Sequence, residues 1–265
     1  MNDKTTRRLT EEELDQLPTE EEFLRHYDPR VYPPQAVATD LAIFTIRDEK
    51  LCILLIRRAG HPEKGKWSLP GGFARVDETL DQAAARRLSE ETGLKLDHSY
   101  LEQLRTYSEP DRDPRGYVVS AAYVALVPQA TTPVAGPSVL KGSAGFVPVE
   151  EVLSGYDLAF NHREILEDGL ERVRAKLEYS PIAAHFLEGE SFTIPEFMRI
   201  YEIVWGVKFR HPSNFRRKVK SAADLLLPVG TKGVPSFRGG RSSDLYRLGP
   251  AVTIFPPLRR QDAEE

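Results

Sequence analysis

Strand-like and helix-like runs alternate from residue 36 to residue 178. Two amphipathic helices and a glycine-punctuated basic segment then occupy residues 179 to 256. Together they predict an α/β layered domain followed by a winged helix-turn-helix domain. A third observation separates the two parts. Residues 205 to 250 hold ten Lys/Arg against two acids, a net +8, whereas residues 1 to 204 carry −11 and the whole chain −4. The distal part suits a polyanion and the rest does not.

At 265 residues the chain is long enough for one large domain or two modest ones. It has no apolar run of ~18 residues, so no membrane-spanning helix is expected. Its N-terminus is polar and acidic, without a hydrophobic signal core. Cys52, the only cysteine, lies in the apolar run Leu51 to Ile56 and reads as a buried strand residue. A soluble cytoplasmic protein without membrane partners is expected. No internal repeat or low-complexity tract is visible.

Residues 1 to 35 contain two capping-box patterns, Thr10-x-x-Glu13 and Thr19-x-x-Glu22, which predict short acidic helices ending before Tyr32-Pro33-Pro34. Val37 to Ile46 and Leu51 to Arg57 are β-rich and form a hairpin about Arg47 to Lys50. Trp67 to Phe73 reads as a short strand with a Gly71-Gly72 turn. Thr79 to Thr92 reads as a helix closed by Gly93. Val118 to Val127 is a further strand, Gly145 to Val149 one more, and residues 161 to 177 a long helix. In the second unit Thr193 caps a helix with Glu196, and Ile194, Phe197, Met198, Tyr201 and Val204 follow helical spacing up to Gly206. Ser213 caps another helix, which runs to about Leu226 and is stopped by Pro228. Gly230 to Gly233 and Gly239-Gly240 punctuate a β-hairpin. Residues 257 to 265 read as a polar tail.

Gly72, Glu78, Arg86, Leu88, Glu90, Glu91, Gly93 and Leu94, with the lead-in Trp67 to Phe73, stand at fixed spacings. They resemble the Nudix signature, G-x5-E-x7-R-E-U-x-E-E-x-G-U. The resemblance implies a Nudix fold, a mixed sheet sandwiched by helices. One fixed position departs: Arg87 stands where the family places Glu. At ~100° per residue, Arg87, Glu90 and Glu91 fall within an arc of ~100° on one helix face. Three carboxylates there would gather Mg²⁺, which would clamp a diphosphate and activate water. A guanidinium neither binds a metal nor acts as a base. Hydrolysis is therefore expected to be absent or weak, with Glu78, Glu90 and Glu91 as residual catalytic candidates and Glu90 and Glu91 as weak metal ligands. Arg87 is read as a direct contact to a ligand diphosphate, as a partner in an intrahelical ion pair with Glu90 or Glu91, or as both, since the two roles are compatible.

Arg58, Gly71, Gly72, Phe73 and Arg115 join Arg87 as candidate ligand contacts. Arg58 and Arg115 suit phosphates; Trp67 and Phe73 could stack on a base or pack in the core. His162, at a helix start, reads as a capping or surface residue.

On the helix from Ser213, Phe215, Val219, Ala222 and Ala223 share one face, and Ser213, Asn214, Arg217, Lys220 and Ser221 project opposite, with Arg216 and Lys218 flanking. Arg reads guanine and Asn adenine in the major groove, while Lys and Ser hold phosphates. Lys232, Arg238 and Arg241 would form a basic wing.

A Nudix-like domain followed by Asn214 to Lys218 in a winged helix resembles the NrtR family of Nudix-related regulators of NAD metabolism. Further support comes from Arg115 to Ser120, Asn161 to Leu166 and Asp244 to Arg247. The resemblance covers residues 36 to 250. It implies a bacterial homodimer, associated with the nucleoid, on a palindromic double-stranded operator, usually repressing NAD biosynthesis or salvage genes. The implied effector is ADP-ribose or a related nucleotide, with no cofactor required; related regulators of this architecture respond to sugars. Two alternatives are a Nudix hydrolase of nucleoside diphosphates with an accessory nucleic-acid module, and an RNA-binding or scaffold protein. The second lacks the exposed aromatic pattern that stacks single-stranded bases.

Overall fold

The computed structural model describes residues 9–32, 35–92, 100–129, 131–132, 139–233 and 242–261. Gly93, Leu94, Gly239, Gly240, Arg238 and Arg241 lie outside them. The chain divides into two compact units, Met1–Gln35 and Ala36–Glu265. Among the described residues no helix is long and apolar enough to cross a membrane.

The first unit contains α1 (Glu11–Asp15) and α2 (Glu20–His26). Thr10 Oγ1 accepts from the Glu13 amide at 3.2 Å, and Glu13 accepts from the Thr10 amide at 2.9 Å, completing the predicted capping box. Thr19 caps α2 through the Glu22 amide at 3.2 Å.

The second unit opens with the hairpin of β1 (Ala36–Arg47) and β2 (Lys50–Arg58). Its two turn residues, Asp48 and Glu49, have φ of 47° and 59°, as a tight two-residue hairpin requires. β3 (Trp67–Ser68), β4 (Gly71–Phe73), β5 (Tyr100–Tyr107), β6 (Val118–Leu126) and β7 (Val139–Pro148) complete a seven-stranded sheet. Its central order is β3-β2-β1-β6-β5, with β4 on β1 and β7 on β2. β1 and β6 run parallel and the other pairs antiparallel, so the sheet is mixed.

The period-two alternation of β1 separates two cores. Leu41 and Ile43 pack with Leu54, Tyr123 and the α3 (Leu80–Thr92) residues Ala84 and Leu88. Ala42, Phe44 and Ile46 face α5 (His162–Leu177) through Ile165, Leu166 and Val173. The helices thus sandwich the sheet. The second core continues without a break across residues 178 and 179 into Ile182, Phe186, Phe197 and Phe215.

Several expectations need correction. Gly71 and Gly72 lie in β4, not in a turn. β5 and the short helix α4 (Val149–Gly155) were not foreseen, and β7 starts before Gly145. β5 buries only Leu104 and Tyr107, so its apolar alternation is weak; its charges instead meet α5, Arg105 on Asp168 at 2.7 Å and Arg172 on Glu102 at 3.0 Å. The helix foreseen from Ser213 to Leu226 is α7 (Pro212–Ser221), entered through His211, with Pro at its start. Pro228 lies within a strand and does not stop a helix.

α7 belongs to a three-stranded winged unit. A 3₁₀ turn (Pro181–Phe186) leads to β8 (Phe192–Thr193) and α6 (Ile194–Trp205). After α7 come β9 (Leu226–Gly233) and β10 (Ser243–Leu248), in sheet order β8-β10-β9. The Thr193–Glu196 capping box is present, and Gly206 closes α6 with φ of 71°, a left-handed position that favours glycine. Phe197, Tyr201 and Phe209 surround Phe215, with centroids 6.3, 5.3 and 4.9 Å away, and fix α7 against α6. The chain then returns: Ile254 and Leu258 donate to the carbonyls of Tyr179 and Glu178, both at 2.8 Å.

Candidate functional site

A cavity of about 490 Å³ opens on the Nudix-like part, and Arg58, Gly71, Gly72, Phe73, Arg87 and Arg115 all line it. β2 ends at Arg58, β4 supplies the two glycines and Phe73, and α3 supplies Arg87. Gly71 is required by close approach, because a Cβ there would lie 2.3 Å from Asp40 Oδ1 and 2.6 Å from the Thr39 carbonyl oxygen. A Cβ on Gly72 would lie 1.9 Å from Arg87 Nη2, but that neighbour is the movable end of the Arg87 side chain. The Arg87 guanidinium therefore lies directly on the β4 backbone.

Arginines and aromatic rings alternate around the opening. Arg115 stands 4.9 Å from the Phe73 centroid, and Arg58 4.8 Å from that of Phe160. Burial, then the nearby Arg115, lowers the Arg58 pKa; a guanidinium stays charged all the same. Asp113 accepts from Arg115 at 2.6 Å, which holds its carboxyl below the usual range.

The floor contains residues that no sequence motif marks. Asp40 accepts from Ser120 at 2.6 Å and from Arg112 at 3.3 Å. His162 was expected at the surface but is 3 % exposed. Its Nδ1 accepts from the Leu69 amide at 2.9 Å, which places the proton on Nε2, 3.6 Å from Asp40 Oδ1. Burial lowers its pKa, Arg112 and Arg58 add to the shift, and Asp40 opposes it. The available signal was Asp40 itself, a charge inside an otherwise apolar strand. Of the two roles read for Trp67, the structure shows packing: its ring lies 5.9 Å from that of Tyr156 and against the core.

Arg87 Nη1 donates to Glu90 at 3.0 Å, so the intrahelical pair runs to Glu90 and not to Glu91. Glu90 also accepts from Arg86 at 3.3 Å, and Glu78 accepts from Arg86 at 2.5 and 2.9 Å. Arg86 holds the Glu78 carboxyl down at about 2. Glu91 is 2 % exposed. Burial pushes its carboxyl up to about 7, with Glu90 adding and Arg87 opposing. The candidates for a divalent cation thus fit one poorly: Glu78 and Glu90 are engaged by arginines, Glu91 is buried, and Arg87 brings a fixed cation. Among the described residues no cluster of three or more His, Cys, Asp or Glu is placed to hold a metal.

The Glu91 shift has a stability consequence. The unfolded glutamate titrates near 4.5 and the folded one near 7. Between those values the folded state keeps a proton that the unfolded state has lost, so stability falls as pH rises through that window, by about 3 kcal/mol in all. Glu91→Gln should raise the thermal midpoint by roughly 6 °C at pH 8 and change it little at pH 5. Equal shifts at both pH values would contradict the assignment.

The second surface is α7 with the hairpin. Phe215 and Val219 are buried, while Ser213, Asn214, Arg216, Arg217 and Lys220 are exposed on the opposite side and Lys218 is half-buried. Arg216, Lys220 and Lys232 converge on a groove of about 250 Å³, where Lys220 Nζ lies 5.5 Å from the Tyr246 ring. Asn214, Arg217 and Lys218 line a second groove of about 270 Å³. Ala223, expected on the apolar face, is exposed beyond the helix end.

Comparison with known proteins identifies both domains. Residues 34–169 match the NUDIX domain family and residues 184–248 the NrtR DNA-binding winged helix domain. The chain is 33% identical over 234 residues to the ADPR responsive transcriptional repressor NtrR of Acinetobacter baylyi, covering 87% of this chain and 88% of that protein. The crystal structure of Shewanella oneidensis NrtR complexed with a 27mer DNA superposes with a TM-score of 0.71 at 33% identity, covering 84% of this chain and 99% of that one. The NUDIX domain of Shewanella oneidensis NrtR complexed with ADP ribose gives a TM-score of 0.53 at 37% identity, covering 58% and 99%. The chain belongs to the NrtR family, in which a Nudix domain is joined to a winged helix DNA-binding domain.

Proposed function

We propose that this protein is a cytoplasmic, nucleoid-associated transcriptional repressor of NAD metabolism genes, whose Nudix domain binds ADP-ribose without consuming it. The observation that carries this reading is the cavity beneath Arg87. Four arginines, Arg58, Arg87, Arg112 and Arg115, line it against two carboxylates, Asp40 and Asp113. The Nε atoms of Arg87 and Arg112 are buried without a hydrogen-bond partner among the described residues. Such donors suit the oxygens of a diphosphate, and Phe73 and Phe160 offer apolar surface to the nucleoside. The place where a hydrolase would hold a metal is occupied by a cation, so binding proceeds without turnover. No metal is needed, and Arg58, Arg87 and Arg115 are the phosphate contacts.

On the other surface, α7 enters the major groove with Asn214, Arg216 and Arg217 toward base edges and Lys218, Lys220 and Lys232 toward phosphates. A homodimer would set two such helices about one turn of DNA apart, ~34 Å, over a palindromic operator. Likeness to a repressor named for its ADPR response and to an NrtR solved with DNA supports this. An electrophoretic shift with DNA from upstream of NAD genes tests it. The complex should form without nucleotide and dissociate as ADP-ribose is added; a complex indifferent to saturating ADP-ribose would overturn the sensing function.

A further inference from the structure

One end of α5 meets the cavity and the other meets α6, which packs against α7. At its first turn, His162 lines the cavity beside Asp40, and the preceding Asn161 accepts from Arg112 at 3.0 Å. Twelve residues on, from residue 162 to 174, about 18 Å along the axis, its last turn is clamped to α6. Arg174 Nε donates to the Val204 carbonyl at 3.0 Å, and Trp205 Nε1 donates back to the Arg174 carbonyl at 3.0 Å. Trp205 is 1 % exposed. Its ring lies 5.0 Å from Tyr201, whose ring lies 5.3 Å from Phe215 on α7. A rigid helix and three packed rings therefore connect the cavity floor to the basic helix.

We propose that Arg174 and Trp205 are positioning residues for the effector response. Through their reciprocal clamp, α5 carries a displacement of His162 and Asn161 in the occupied cavity to α7. The inference rests on the ADP-ribose-sensing function above. A second tie between the sheet and α6, Arg199 to Glu49 at 2.9 Å, starts from the β1–β2 turn, remote from the cavity lining, and provides the control.

The test uses the full-length protein, an operator duplex and ADP-ribose. DNA affinity is measured by fluorescence anisotropy with and without nucleotide, and the ratio is the coupling factor. Trp205→Phe keeps the ring and removes the N–H; Arg174→Lys removes the Nε donor. Either should bind ADP-ribose alone and DNA alone within about two-fold of the parent, while the coupling factor falls by about five-fold or more. Glu49→Gln should leave coupling unchanged. Parent-like coupling in the folded clamp variants, or loss of coupling in Glu49→Gln equal to theirs, would overturn the route. No ADP-ribose effect in the parent protein would overturn the sensing function itself. Should the variants fail to fold, hydrogen exchange of the parent decides. ADP-ribose should alter amide exchange at residues 174 to 179 and 203 to 208, and unchanged exchange there overturns the proposal.

Discussion

Replacing Arg87 with glutamate should abolish the response to ADP-ribose and leave DNA binding in its absence intact. The guanidinium lies against the Gly72 backbone and borders the cavity. Loss of its charge-assisted hydrogen bonds removes ~1.5–3 kcal/mol of ligand binding, and a carboxylate facing a diphosphate adds repulsion. The combined fall in affinity is roughly 100-fold, by titration calorimetry in EDTA to exclude metal rescue. α7 is remote from the change, so operator affinity without nucleotide should hold. The same variant restores the acid at the departed position of the Nudix signature, so Mg²⁺-dependent turnover should rise above that of the parent. A parent protein that hydrolyses ADP-ribose with Mg²⁺ as fast as Arg87→Glu would contradict the account of this site.

The second large effect concerns the basic helix. Arg217 and Lys220 are exposed on the side of α7 opposite Phe215 and Val219, so their removal should not disturb the fold. The double change Arg217→Ala with Lys220→Ala should weaken operator binding by about 10- to 100-fold near 0.1 M salt. If both meet phosphates, the log–log dependence of affinity on salt should flatten by about two, close to 0.9 for each phosphate no longer neutralised. If Arg217 reads a base instead, the slope should change by about one and discrimination at one position should relax. ADP-ribose binding should be unaffected. Unchanged affinity and slope would remove α7 from the interface.

These two sites differed in how far the sequence disclosed them. The basic helix α7 was legible because its information is local. Thr193 and Glu196 cap α6, Gly206 ends it, and Phe215 and Val219 mark the buried side of α7 through helical spacing alone. The cavity was half legible. Gly71, Gly72 and Arg87 are fixed by a motif whose spacing reflects strand, loop and helix. Asp40, Arg112 and His162 belong to three distant segments that meet only when β1, the loop before β6 and α5 close around β4. No periodicity announces such a meeting. His162 misled because a helix start is usually solvated, and here the helix starts against the sheet. β5 was missed because its apolar alternation is weak: it is held by pairing with β6, buries only Leu104 and Tyr107, and turns charged side chains toward α5. The helix boundary at Pro212 was misplaced by two residues because serine and proline both signal a helix start.

The most direct test of the whole account is reciprocity. If ADP-ribose and DNA oppose each other on one molecule, the factor by which ADP-ribose weakens DNA binding must equal the factor by which DNA weakens ADP-ribose binding. Calorimetric titration of ADP-ribose into the free protein and into its saturated operator complex measures the second factor, and chromatography of the nucleotide afterwards shows whether it survived. The account predicts weaker binding to the complex, by the factor seen in the DNA titration, and intact ADP-ribose. Equal affinity in the two titrations, or cleaved nucleotide, would contradict it.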